Sequence, residues 1–212
     1  MSSKRRIYLV RHGATHCNET GVMQGDDDGL SDAGVAQAHT LGKRLAKVSF
    51  DTLFSSHLPR ARQTAEIISS YTNHPVLSSP VFREVSNPPS LIGLSYKDPK
   101  VVEFHREMRE RANDLDWKME SEESFRERRA RALEAFVHAA AGEGTVLVVT
   151  HGRFLKHMLF AEIFEDAFTP SIEELALHRM PSTNTGITVF EESSRRPNGW
   201  DLIAWNDHAH LG

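Results

Sequence analysis

Four uninterrupted apolar or aromatic positions, Ile7-Tyr8-Leu9-Val10, run directly into Arg11-His12-Gly13-Ala14-Thr15. A run of that kind predicts a strand buried on both faces, the usual state in a parallel sheet. The pattern returns more strongly at Thr145-Val146-Leu147-Val148-Val149-Thr150, which is rich in β-branched residues and again ends in histidine and glycine, His151-Gly152. This second run is expected to be the central strand. Asp51 to Ser56 and Pro75 to Leu77 predict two shorter strands. The segments 185–190 and 200–205 read as a late antiparallel addition at the sheet edge, separated by a turn over 195–199.

Between these runs the apolar positions change period. Val35, Ala38, Leu41 and Leu45 recur at helical spacing over about 32–47, behind Ser31 or Asp32 as N-cap. Leu58, Ala61, Ala65 and Ile68 form the inner stripe of a second helix, with Pro59 in its first turn. Helices are further predicted over 100–118 (Phe104, Met108, Leu115), over 122–141 (Phe125, Leu133, Phe136, Val137) and over 153–164 (Phe154, Leu155, Met158, Leu159, Ile163). Thr15 to Gly29 reads as a polar loop. Ser86 to Pro99, with Pro88, Pro89 and Gly93, reads as an irregular connection lying over something.

At 212 residues one domain, 1–212, is expected. A net charge of -4 implies no broad basic surface for nucleic acid. The basic start, Met1 to Arg6, precedes an apolar run of only four residues, too short for a signal-peptide core, and no run approaches a bilayer span. The expected location is cytoplasmic, with no membrane partner. A lone cysteine, Cys17, excludes an intrachain disulfide, and nothing around it marks a nucleophile. Asp26-Asp27-Asp28 lacks the alternating spacing of a calcium loop and reads as a solvated run. From Lys97 to Glu134, ten basic and eleven acidic side chains read mainly as solvated charge pairs.

The chemistry concentrates at strand ends. In open α/β sheets ligands bind at the carboxyl edge, and Arg11-His12-Gly13 and His151-Gly152 both follow buried strands. Taken alone, an arginine and a histidine after a strand read equally well as a solvated loop. Arg60, however, stands at a helix N-terminus, unfavourable for a cation unless an anion is bound there. Two arginines and two histidines suit a tetrahedral dianion better than a zinc ion. One imidazole would attack phosphorus while a carboxylic acid protonates the departing oxygen, and a neutral histidine needs no metal for this.

Arg11-His12-Gly13-Ala14-Thr15, the segment Ser55 to Ala65 and Thr150-His151-Gly152 resemble, in order, three motifs of the histidine phosphatase (phosphoglycerate-mutase-like) superfamily. Gln24-Gly25 and Leu30-Ser31-x-x-Gly34 match between them. The resemblance implies an α/β fold: a three-layer α/β/α sandwich around a mostly parallel mixed sheet, with a helical lid insertion at about 86–120. It implies His12 as nucleophile, Arg11, Arg60 and His151 as holders of the phosphoryl oxygens, Asn18 as a nearby donor, and Glu84 as proton donor. After Glu84 the chain departs from many relatives, reading Ser86-Asn87-Pro88-Pro89-Ser90, so that Glu120, Glu122 and Glu123 are the next acids to consider. The longer insertion typical of phosphoglycerate mutases is absent. The expected activity is phosphomonoester hydrolysis on a small phosphorylated substrate, with no cofactor and no metal. Mutase-type phosphoryl transfer and an inactive phosphate-binding protein are the alternatives, and a homodimer is left open. Arg83, His105, Arg106 and Arg109 are candidates for a second anionic group.

Overall fold

The computed structural model describes residues 4–111, 114–118, 123–142, 144–195 and 199–212. Its sheet is assembled from both ends of the chain. The first buried run is β1 (Arg6–Arg11). A short helix, α1 (His16–Thr20), follows where the sequence predicted only loop. Thr15 caps it through a reciprocal pair of bonds with Asn18, a local signal that hydropathy does not carry. Next come α2 (Asp32–Leu45), capped by Ser31, then β2 (Thr52–Ser56), α3 (Pro59–Thr72) with its proline at the first position, and β3 (Val76–Ser79).

After an irregular stretch, α4 (Pro99–Glu110) ends eight residues short of the expected boundary at 118. Then come α5 (Phe125–Ala140), with a Ser124/Glu127 capping box, the wholly buried β4 (Val146–Thr150), and α6 (Gly152–Phe164). A further helix that the pattern did not predict, α7 (Pro170–Arg179), precedes β5 (Ile187–Glu192) and β6 (Trp200–Asp207).

The strand order is β3-β2-β4-β1-β5-β6. The first four run parallel, and β5 and β6 add antiparallel beside β1, as expected for the edge. Strand alternation divides the apolar residues between two cores. Ile7, Leu9, Val146 and Val148 pack with α5 and α6 on one face. Val10, Leu147 and Val149 pack with α2 and α3 on the other. The result is three layers around a mixed sheet. Three predicted inward residues instead face out: Val35, Ile163 and, at 66% exposure, Val137. Ile163 lies in the last turn of α6, beyond its buried stretch 154–161. No helix among the described residues is long and apolar enough to cross a membrane.

Candidate active site

Parallel pairing of β1 with β4 sets Arg11 opposite Thr150, and His12 N donates to Thr150 O at 2.9 Å. His12 and His151 therefore leave adjacent strands side by side, and their rings meet edge to face with centroids 5.1 Å apart. Both are buried, at 2% and 0% exposure. Gly13 permits the turn that follows, because a Cβ there would press on the Gly34 carbonyl oxygen of α2.

The protonation of His12 follows from one contact. A 2.7 Å bond to the carbonyl oxygen of Gly13 places the ring proton on Nδ1 and leaves Nε2 with its lone pair. Burial, with Arg11 and Arg60 adding repulsion, holds the ring's pKa well below the ordinary histidine range. His151 is held down by burial too, then by Arg60, His12 and Arg11. Its Nε2 lies 2.8 Å from Ser56 Oγ.

Arg60, at the second position of α3, is 2% exposed, and its Nη1 donates to the carbonyls of Gly25 at 2.9 Å and Asp26 at 3.3 Å. Arg11 Nη1 donates to the carbonyl of Ser182. Burial lowers both guanidinium pKa values, and Glu84 opposes that shift in each. Neither arginine has a carboxylate within ion-pair distance among the described residues. Arg11 Nε, Arg60 Nε and His151 Nδ1 are buried with no hydrogen-bond partner in the described protein. Unsatisfied buried nitrogens are uncommon and require a reason; these three belong to side chains that neighbour His12.

Glu84 comes from the connection after β3. Its Oε1 accepts from Phe154 N at 2.8 Å and Val85 N at 2.9 Å, and its Oε2 accepts from Arg153 N at 3.2 Å, so it caps the start of α6. Arg131 of α5 fixes the same connection by donating to the carbonyls of Val81 and Arg83 at 3.2 and 2.8 Å. Thr150 Oγ1 donates to the carbonyl of Phe82 at 2.8 Å. Of the other acids, Glu123 is engaged by Arg131 and Arg83, whose charges outweigh burial and lower its pKa. Glu120 and Glu122 lie outside the described residues.

Arg11, His12, Asn18, Arg60 and Glu84 all line one cavity of about 430 Å³. His151 does not line it; it stands behind His12. Asn18 Oδ1 accepts from Thr15 N at 3.3 Å and from Asn184 Nδ2 at 3.1 Å, which leaves the Asn18 amide group to donate.

Sequence reasoning missed the segment behind the nucleophile. Asn184 Nδ2 donates to His12 O at 3.0 Å. Thr185, in the left-handed region at φ 61°, donates its amide to Arg11 O at 3.0 Å. A β-branched residue there is an outlier held by its surroundings. Nothing in the hydropathy marks these residues; only the Ser182-Thr183-Asn184-Thr185-Gly186 turn chemistry could have done so.

Known proteins share this fold and much of its sequence span. A 64-residue stretch is 47% identical to the probable fructose-2,6-bisphosphatase TIGAR A of Danio rerio, spanning 29% of this chain and 25% of that protein. The probable phosphoglycerate mutase GpmB of Yersinia pestis is 28% identical over 97% of this chain and 94% of its own length. Among solved structures, Bacillus stearothermophilus YhfR superposes with a TM-score of 0.80 at 29% identity, covering 98% of this chain and all of that one. A phosphoserine phosphatase variant of Entamoeba histolytica, solved with phosphoserine, gives 0.78 at 22% identity, covering 98% of this chain and 99% of that one. The family model for the histidine phosphatase superfamily (branch 1) matches residues 7–208, and the chain belongs to that superfamily.

Proposed function

We propose that this chain hydrolyses phosphomonoesters through a phosphohistidine formed on Nε2 of His12. The observation that carries the reading is the set of buried, unpartnered nitrogens of Arg11, Arg60 and His151 around that imidazole. Arg11 and Arg60, which line the cavity, are fixed donors for the equatorial oxygens of a phosphoryl group in flight, and His151 packs against the attacking imidazole.

Nε2 attacks phosphorus in line, the ester P–O bond breaks, and Glu84 gives its proton to the departing oxygen. Water then attacks the phosphohistidine, Glu84 takes back a proton, and inorganic phosphate leaves. The buried guanidiniums balance the charge that a divalent ion balances in metallophosphatases, so the reaction proceeds without one. Asn18 supplies a further donor from α1. The described part of the segment 86–120 serves as the lid over this cavity. Ser86, Tyr96, Phe104 and Met108 line the cavity from its described part, while residues 112, 113, 119 and 120 lie outside the described residues.

A second reading, mutase-type transfer, is favoured by the near full-length likeness to a probable phosphoglycerate mutase. We place hydrolysis first because the connection after Glu84 is short. The two readings part on product. With 3-phosphoglycerate, a hydrolase releases inorganic phosphate, whereas a mutase accumulates 2-phosphoglycerate. A phosphate-binding protein does neither. Phosphate release that survives exhaustive chelation is the expected result; activity lost to chelator and restored by magnesium, manganese or zinc overturns the metal-independent reading.

A further inference from the structure

The cavity contains a cation that this chemistry does not use. Lys156, in the second turn of α6, lines the same cavity as Arg11 and His12 and is 7% exposed. It interrupts an otherwise apolar stretch, Phe154-Leu155 before it and Met158-Leu159 after it. Its ammonium makes one long bond, 3.5 Å, to the carbonyl of Ala176 in α7, and no carboxylate among the described residues lies within ion-pair reach. Beside it, Arg153 also lines the cavity; Glu173 Oε1 holds one arm at 3.1 Å, while Nε is buried without a partner in the described protein.

The cations that the sequence offered for a second anion behave differently. Arg83 bonds Ser86 and pairs with Glu123, and Arg106 pairs with Glu103 and Glu110 on the exposed side of α4. His105 and Arg109 do line the cavity, but from its α4 wall. A buried ammonium without a counter-ion is costly, and a leucine or methionine would serve the packing better.

We infer that Lys156, with Arg153, receives a second anionic group, a carboxylate or a second phosphate, on the leaving portion of the substrate. The inference rests on the hydrolysis reading and narrows its substrate class to phosphate esters that carry another anion. Three charged groups act on Lys156: Arg11 from β1, Glu84 from the connection after β3 and Arg153 on its own helix, while Glu173 of α7 lines the same cavity and pairs with Arg128 and Arg153. Burial, then Arg11 and Arg153 against Glu84, bring its pKa down to about 8. The ammonium is therefore charged at neutral pH and loses its proton as pH rises through that value.

The test compares kcat/KM within two matched pairs. One is 3-phosphoglycerate against glycerol 1-phosphate, which has a hydroxymethyl in place of the carboxylate. The other is fructose 1,6-bisphosphate against fructose 1-phosphate. Wild type should prefer the more anionic member of one pair by about tenfold to a hundredfold, the span of one charge-assisted contact; which pair responds identifies the group. Lys156→Met should remove most of the preference, Lys156→Arg should keep it, and in wild type it should fade as pH rises through about 8. No preference in either pair, or a preference that Lys156→Met retains, overturns the inference. The pH profile of wild type decides the matter where the methionine variant does not fold. Failure of the folded wild type to release phosphate from any ester, p-nitrophenyl phosphate included, removes the hydrolysis reading itself.

Discussion

At His12 the proton on Nδ1 is committed to the Gly13 carbonyl, and two buried guanidiniums oppose a second proton on Nε2. The nucleophile thus stays neutral in acid that would protonate a free imidazole. The acid limb of kcat/KM, corrected for ionisation of the substrate, is expected below the ordinary histidine value of about 6.5. A limb at or above that value would contradict the assignment. Arg60 makes a different prediction. It holds oxygens whatever the leaving group, so Arg60→Ala should lower kcat/KM by about tenfold to several hundredfold for alkyl and aryl phosphates alike, the effect of losing about 1.5–3 kcal/mol or more. An aryl-phosphate rate equal to wild type would remove it from the phosphoryl site.

Elements position these residues by close packing at few points. The start of α2 lies so near the loop after β1 that a Cβ on Gly34 would fall onto the carbonyl oxygen of Ala14. Gly34→Ala should therefore cost stability, about 1–3 kcal/mol for a misfit of this kind, and also lower turnover by shifting the segment beside His12. A thermal melt and an activity assay check both, and an unchanged variant would show the contact to be soft. Glu84 joins two elements, since its carboxylate caps α6 while facing the cavity. Glu84→Gln should lose about 10²–10⁴-fold with poor leaving groups and little with a good aryl leaving group, giving a steeper Brønsted line than wild type. Parallel lines would exclude Glu84 as the acid and direct attention to the α4–α5 connection.

The parts of this arrangement that were legible in the sequence are those set by apolar period. The strands ending in Arg11-His12 and His151, and the helix bearing Arg60, needed only burial patterns and one proline. Those that escaped depend on backbone hydrogen bonding. Asn18 and Thr15 build α1 through capping, and Asn184 and Thr185 support the nucleophile from a turn at the far end of the chain. The boundary of α4 escaped because Leu115 continues the helical spacing of Phe104 and Met108, although it packs on the core from a turn outside the helix.

Across the whole molecule, the site is a store of unfavourable burial. Two neutral histidines and two unpaired guanidiniums sit at the sheet edge, and the two apolar cores on either side of the sheet sustain them. The histidines give that burden a pH dependence. Unfolded, each binds a proton near pH 6.5; folded, each does so only well below it, so the unfolded state holds more protons as pH falls. Stability should decline below about pH 6.5, by up to about 1.4 kcal/mol per pH unit for each histidine. Denaturant melts should show the stability difference between wild type and His12→Asn moving against wild type as pH falls, and lines that stay parallel would show that His12 binds its proton in the fold as readily as outside it.

The covalent step is the most direct test of the whole account. Wild type and His12→Ala, both shown to be folded, would be mixed with a ³²P-labelled phosphomonoester, quenched during turnover and assayed for label on the protein. Wild type should carry an acid-labile, base-stable adduct that maps to His12, and His12→Ala should carry none and retain no more than a few per cent of turnover. Label on another residue, or turnover that persists without His12, would contradict the phosphohistidine mechanism.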